Sequence, residues 1–274
     1  MDAPAAADAP AVLRVGRPDP ALTPYVRSYL GVEQRGAETV AVGALPSAVL
    51  TVTWGGKVEA LTGRSTAGRP YPLVALSGPL TVGHRVEVGA GARGFHVRLG
   101  PTGARALLGE RAPADDWDGG LPAAVERWAE AVAGAASFEA RVALADAFLL
   151  GRLPARGVWS DAAVGLVVRS AGALPVVALA AALGASERTL RRRFDDDVGL
   201  GPKAFAQVER YRQAHGFLLR TPGATWRDVC ERYGYCDQSH FDRAFRRFTG
   251  QPPTRWLEAA HGLDLGMGLR EDGA

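Results

Sequence analysis

The C-terminal part of the chain repeats itself. Leu179-Ala180, Gly184, Leu190, Phe194, Gly199 and Pro202 recur as Val229-Cys230, Gly234, Phe241, Phe245, Gly250 and Pro253. The offset is 50 residues before the turn and 51 after it, so the second copy holds one extra turn residue. Self-similarity of this kind means that one supersecondary unit is built twice. Each copy reads as a helix, a glycine-containing turn and a capped helix.

In the first copy Ser186 is an N-cap candidate, and Leu190 and Phe194, four residues apart, turn an apolar stripe inward. Arg188, Arg191 and Arg192 then share the opposite, outward face. A short helix anchored by one stripe and presenting arginines on the other has the form of a recognition helix in a helix-turn-helix. In the second copy Asp237 caps, Phe241 and Phe245 anchor, and Gln238, Ser239, Asp242 and Arg243 face outward. Guanidinium forks suit guanine O6/N7, Gln suits adenine and Asp accepts from cytosine N4. These seven outward side chains are the expected base contacts, and Arg246 and Arg247 the expected phosphate contacts. The expected recognition helices are Ser186–Asp196 and Asp237–Phe248.

Charge is distributed to match. The whole chain of 274 residues has 32 Lys/Arg against 29 Asp/Glu, a net +3 too small to imply a polyanion partner. Ser186–Trp256 alone has 14 Lys/Arg and 9 Asp/Glu, a net +5. A basic helix face is ordinarily just solvated; found in two copies on a basic segment, it favours nucleic acid. Asp195-Asp196-Asp197 would repel phosphate and is expected to point away.

The N-terminal half follows a different period. Tyr25–Val32, Ala48–Trp54, Leu73–Ser77, His84–Val88 and Phe95–Leu99 are short β-prone runs separated by Gly and Pro. A short helix follows at Ala104–Leu108. Between Leu121 and Leu150 the period becomes helical, with Val125, Trp128, Ala129 and Val132 on one stripe and Phe138, Val142, Ala145 and Leu149 on another. Two antiparallel helices joined near Gly134–Ser137 are expected. The fold class is therefore α+β: an N-terminal β-barrel or sandwich-like domain with two helices, then an all-α domain. The expected boundaries are a flexible tail over 1–20, a β-rich domain over 21–152, a linker over 153–159, the helical domain over 160–261 and a tail over 262–274.

Other classes are excluded. No run approaches the ~20 apolar residues of a membrane span, and Met1–Pro20 is acidic and Ala/Pro-rich, so a cytoplasmic protein with no membrane partner is expected. Cys230 and Cys236 cannot form a disulfide framework or an all-Cys zinc site, and Cys230 reads as a small buried packing residue. His84 and His96 lack the further ligands a metal needs. Trp54, Tyr71, Tyr25 and Phe95 read as core aromatics ahead of effector contacts. No phosphate loop, His-Glu-x-x-His or Gly-x-Ser-x-Gly occurs, so neither an enzyme nor a cofactor is expected. Two alternatives stay open: a non-specific DNA-coating protein, and an enzyme whose activity resides in the β-domain. Of the 32 basic residues 30 are arginine, which is associated with a GC-rich bacterial genome.

Leu179-Ala180 through Ser186, Leu190, Arg192, Phe194, Gly199 and Pro202, then Arg210 with Ala214 and Leu218, then Gly234-Tyr235 through Asp237-Gln238-Ser239-His240-Phe241, Phe245, Phe248, Gly250 and Pro252-Pro253 resembles the DNA-binding domain of AraC/XylS transcriptional regulators. The resemblance implies seven helices, the long one at Pro202–Leu219 holding two helix-turn-helix units. It matches Arg188, Arg191, Arg192, Gln238, Ser239, Asp242 and Arg243 to base-facing positions of double-stranded operator DNA. Cys230 departs from the usual alanine, and Asp242 is acidic on that surface. The N-terminal half resembles the β-rich domain of an AraC-type subgroup through Leu22-x-Pro24-Tyr25-Val26, Leu45-Pro46-Ser47 and Val97-x-Leu99-x-Pro101. That implies a small-molecule effector or self-association, with 121–150 as the homodimer surface, and RNA polymerase as a further partner if the outcome is activation.

Overall fold

The computed structural model describes residues 11–61, 68–221 and 223–250. These divide into two compact units. The first holds the chain up to Val40 with Ser47–Gly78 and Arg85–Arg156; the second holds Ala41–Pro46, Pro79–His84 and the chain from Gly157.

The N-terminal half of the chain is built on two antiparallel sheets. Its strands are β1 (Ala11–Gly16), β2 (Val26–Gln34), β3 (Glu38–Val42), β4 (Val49–Trp54), β5 (Val58–Leu61), β6 (Arg69–Pro70), β7 (Val74–Ser77), β8 (His84–Val88), β9 (Arg93–Leu99) and β10 (Trp117–Asp118). The larger sheet has the order β1-β2-β9-β4-β7-β10 and the smaller β3-β8-β5-β6. Among the described residues each sheet is open at both edges, so the architecture is two open sheets and not a closed barrel. Alternation along β9 shows why these residues form strands: Phe95, Val97 and Leu99 are fully buried on one face, with His96 and Arg98 on the other.

A π-helical turn occupies Ala104–Leu108. Helices α1 (Ala123–Gly134) and α2 (Phe138–Leu150) follow, and α1 buries Val125, Trp128, Ala129 and Val132, the stripe read from its spacing. Phe138 of α2 lies 6.1 Å from Phe95, which stacks on Tyr29 at 5.7 Å. The Tyr29 hydroxyl donates to Asp146 Oδ1 at 2.6 Å, so α2 is fixed to β2 by one polar bond among apolar ones. Burial and that carboxylate push the Tyr29 phenol up.

Strand β1 corrects the expectation of a tail over 1–20. Ala11–Gly16 pairs along its whole length with β2. Backbone pairing supplies what its weak side-chain pattern does not advertise. Strands β3, β5, β6 and β10 were likewise not marked by an apolar run.

The second unit carries α3 (Asp161–Arg169), α4 (Val176–Ala182), α5 (Glu187–Val198), α6 (Pro202–Arg220), α7 (Trp226–Tyr233) and α8 (Gln238–Thr249). Six helices thus fall within the described residues. The expectations of a seventh helix and of a tail over 262–274, and the repeat position Pro253, fall outside the described residues. The 19-residue α6 is roughly 28 Å long at 1.5 Å per residue. Its first half contributes Phe205 to a core with Leu179, Leu190, Phe194 and Val198. Its second half meets the second copy, where Tyr211 stands edge-on to Phe245 at 5.5 Å. Buried Glu209 accepts from both Arg212 Nε and Nη2, and shares Gln213 with the Val168 carbonyl, tying α6 to α3. No helix among the described residues is long and apolar enough to cross a membrane.

Candidate nucleic-acid interface

The repeat is structural as well as sequential. In each copy a helix ends on a glycine in the left-handed region, Gly184 at φ 60° and Gly234 at φ 68°. The next residue returns its N–H to an equivalent carbonyl: Ala185 to Ala180 at 3.0 Å, Tyr235 to Cys230 at 3.1 Å. A residue with a Cβ is strained at that backbone conformation, which explains the conserved spacing of the two glycines within the chain. The added turn residue of the second copy sits between Gly234 and the cap Asp237.

Caps then set the start of each outer helix. Ser186 Oγ accepts the Thr189 N–H at 3.1 Å, and Asp237 Oδ1 accepts that of His240 at 2.6 Å. The anchors Leu190, Phe194, Phe241 and Phe245 are all fully buried. With one stripe sealed, the remaining faces of α5 and α8 are left to solvent. Arg188, Arg191, Arg192, Gln238, Ser239 and Arg243 are exposed, Asp242 is half-buried, and Arg246 and Arg247 are exposed. The structure therefore gathers the nine candidate residues on two capped helices and buries none of them.

Their electrostatic circumstances differ. Arg191 is bound to Glu187 at 2.8 Å, while Arg188, Arg192 and Arg243 make no hydrogen bond or ion pair among the described residues. Arg193 lies over the Trp159 ring at 5.1 Å, and so belongs to packing. Of the acidic triplet, Asp197 accepts from Ser160 Oγ at 2.8 Å, turned to the start of α3, and Asp196 is exposed. Register the two copies on Leu190 and Phe241, and Asp195-Asp196 falls where Arg246-Arg247 stand. The first outer helix thus ends acidic and the second basic.

Residues 179–259 match the model of a family described as a helix-turn-helix domain. That model is of the AraC-type helix-turn-helix, and its match is confined to the C-terminal region. Across almost the whole chain the fold is similar to that of ToxT from Vibrio cholerae, at a TM-score of 0.50 and 11% identity, with 93% of this chain and 99% of that chain covered. A DNA-binding transcriptional dual regulator from Escherichia coli K-12 aligns at 17% identity over 39% of this chain and 96% of its own, with a TM-score of 0.35. The AraC-like transcriptional activator CuxR aligns at 12% identity over 75% of this chain and 87% of its own, with a TM-score of 0.31. No curated protein matches the chain.

Within the matched region, Cys230 is half-buried on α7, and burial followed by the carboxylates of Asp237 and Asp242 pushes its thiol up. The sequence pattern had read it as a small buried packing residue. Cys236 is exposed just before the cap of α8. Of the four aromatics weighed above, Tyr25 and Phe95 are core, and Tyr71 stacks on Trp117 at 5.0 Å. Trp54 lies under the Arg141 guanidinium at 4.9 Å, on the wall of an open groove. His96 hydrogen-bonds to Thr51 Oγ1 at 3.1 Å through Nδ1, and burial lowers its pKa to about 4. The ion pair of Glu187 with Arg191 and the stacking of Arg193 escaped the sequence reading. An i,i+4 Glu-Arg spacing was the available signal for the first.

Proposed function

We propose that the chain is a sequence-specific transcription regulator that reads double-stranded DNA with α5 and α8 of one subunit. The observation that carries this is the pair of capped helices, each buried along one apolar stripe and exposing Arg188, Arg191 and Arg192 on α5, and Gln238, Ser239 and Arg243 on α8, to solvent. Asp242, half-buried on α8, joins them as an acceptor for cytosine N4. Arg246 and Arg247 take phosphates. Helices of this kind enter successive major-groove segments, so the two contacted segments lie about 10 bp apart on one face of the duplex.

Footprinting of the full chain on genomic DNA tests it. Two protected segments on one face, surviving an excess of competitor DNA, are expected. A shift abolished by competitor with no discrete footprint would identify a non-specific coating protein instead.

The first unit is the proposed effector domain. Supporting this is a groove of about 260 Å³ lined by Trp54, Phe138, Arg14, Arg93 and Arg141 along with Glu33 and Glu139. An effector alters DNA occupancy only by binding two conformational states unequally. Residues 121–150 are the proposed homodimer surface: α2 is apolar around most of its circumference yet exposes Ala143 and Ala147. RNA polymerase becomes a partner if the regulator activates.

A further inference from the structure

The end of α8 is closed by residues from far earlier in the chain. A helix leaves its last carbonyls without intrahelical donors. In α8 the Arg246 carbonyl takes the Gly250 N–H at 2.8 Å, and the Phe245 carbonyl takes Thr249 Oγ1 at 2.8 Å. The Arg247 carbonyl accepts instead from Gly83 N–H at 3.2 Å, and that of Phe248 from Ala44 N–H at 2.7 Å. Gly83 and Ala44 lie in the two short segments, Pro79–His84 and Ala41–Pro46, that the second unit takes from the N-terminal half. Reciprocal backbone bonds between Leu45 and Leu80, at 3.1 and 2.8 Å, join the segments to each other, and Ala44, Leu45 and Leu80 are all buried. A Cβ on Gly83 would stand 2.5 Å from the Thr249 carbonyl carbon, so this approach requires glycine.

We infer that Gly83 and Ala44 are positioning residues for DNA binding, holding the last turn of α8 so that Arg246 and Arg247 meet phosphates. This rests on the reading of α8 as a DNA-contacting helix. Two N–H donors at a helix C-terminus offset the negative end of its dipole and fix the turn against fraying. That turn carries both arginines. At the end of α5 the Asp195 carbonyl accepts from Gly199, and among the described residues no backbone donor from either of those two segments reaches the helix. The device therefore serves one recognition helix. The two segments run directly into strands β3 and β8, so the DNA-binding unit includes chain that is also part of the smaller sheet.

The test compares the full chain with its Gly83→Val and Ala44→Pro variants, the second of which deletes a donor with little change in bulk. Footprint protection, the salt dependence of binding and amide exchange over 245–250 are measured. In both variants exchange over 245–250 is expected to rise at least tenfold with α5 unchanged. Protection of the segment under α8 falls tenfold or more, protection under α5 persists, and the salt dependence flattens. Equal loss on both segments, unchanged binding, or tighter binding would overturn the inference. Should Gly83→Val not fold, slow exchange over 245–250 in the unmodified chain and the Ala44→Pro footprint still decide it: fast exchange there, or an unaltered footprint, refutes it. A parent chain with no discrete footprint would refute the DNA reading itself, whereas a normal parent footprint with unaltered variants refutes only the role of the two turns.

Discussion

Arg191 reaches back one helical turn to Glu187, 2.8 Å away, while its chain neighbour Arg192 makes no such bond among the described residues. The two arginines are thus differently prepared for the base contacts proposed for them. Arg192→Ala should cost about 1 to 3 kcal/mol on matched DNA and relax preference at one base position, as should Arg243→Ala. Arg191→Ala should cost less, because its charge is already partly offset. Titration against matched and singly mismatched duplexes checks the order; equal losses at Arg191 and Arg192 would contradict it.

Arg246 and Arg247 should behave differently from Arg243. Phosphate contacts carry no sequence information, so if these two arginines take phosphates as proposed, their replacement by Ala should weaken matched and scrambled duplexes alike. It also lowers the logarithmic salt slope by about 0.9 for each lost contact. Replacing Asp195 and Asp196 by Arg, the residues that the second copy holds at those positions, should steepen the slope. Binding isotherms between low and moderate salt measure both effects.

Gly234→Ala isolates backbone strain from packing. No atom lies within 4 Å of the Cβ it would add, and the residue sits at φ 68°. The expected destabilisation is about 1 to 2 kcal/mol from the left-handed conformation alone. Denaturant unfolding monitored on the C-terminal unit reads it, and a null effect would show that the turn can be rebuilt without cost.

Two imidazoles with lowered pKa, His215 buried and His96 half-buried, predict acid sensitivity. Burial lowers His96 to about 4, and burial together with the nearby Arg220 lowers His215 to about 3. Both folded-state values lie below that of the unfolded chain, about 6.5. Between these limits the unfolded state binds more protons, so stability is full near pH 7 and declines as pH falls through 6.5 toward 4. Each histidine contributes at most about 1.4 kcal/mol per pH unit. Denaturation midpoints at pH 7.5, 6 and 5 should fall in that order, and His215→Leu should flatten the trend for the second unit.

Side-chain periodicity was legible and backbone-only pairing was not. Leu190, Phe194, Phe241 and Phe245 announced α5 and α8 because burial on a helix imposes a four-residue spacing, and all four are fully buried. Val125, Trp128, Ala129 and Val132 did the same for α1. β1 has no comparable alternation; its exposed Arg14 and Val15 say nothing of the ladder it shares with β2. The bonds from Gly83 and Ala44 to α8 involve main-chain atoms separated by more than 160 residues, and the single glycine that the approach requires is one of many in the chain. Arg193 was hidden among its neighbours: of four nearby arginines, only the position of Trp159 distinguishes the one that stacks.

The inserted residue between Gly234 and Asp237 makes the two proposed reading heads non-identical in mounting, just as Asp195-Asp196 opposite Arg246-Arg247 makes them non-identical in charge. A duplex held by both heads would have a front and a back. One subunit could then tell upstream from downstream without a second copy, and reversing its operator would change the polarity of the bound complex while leaving every base pair in place.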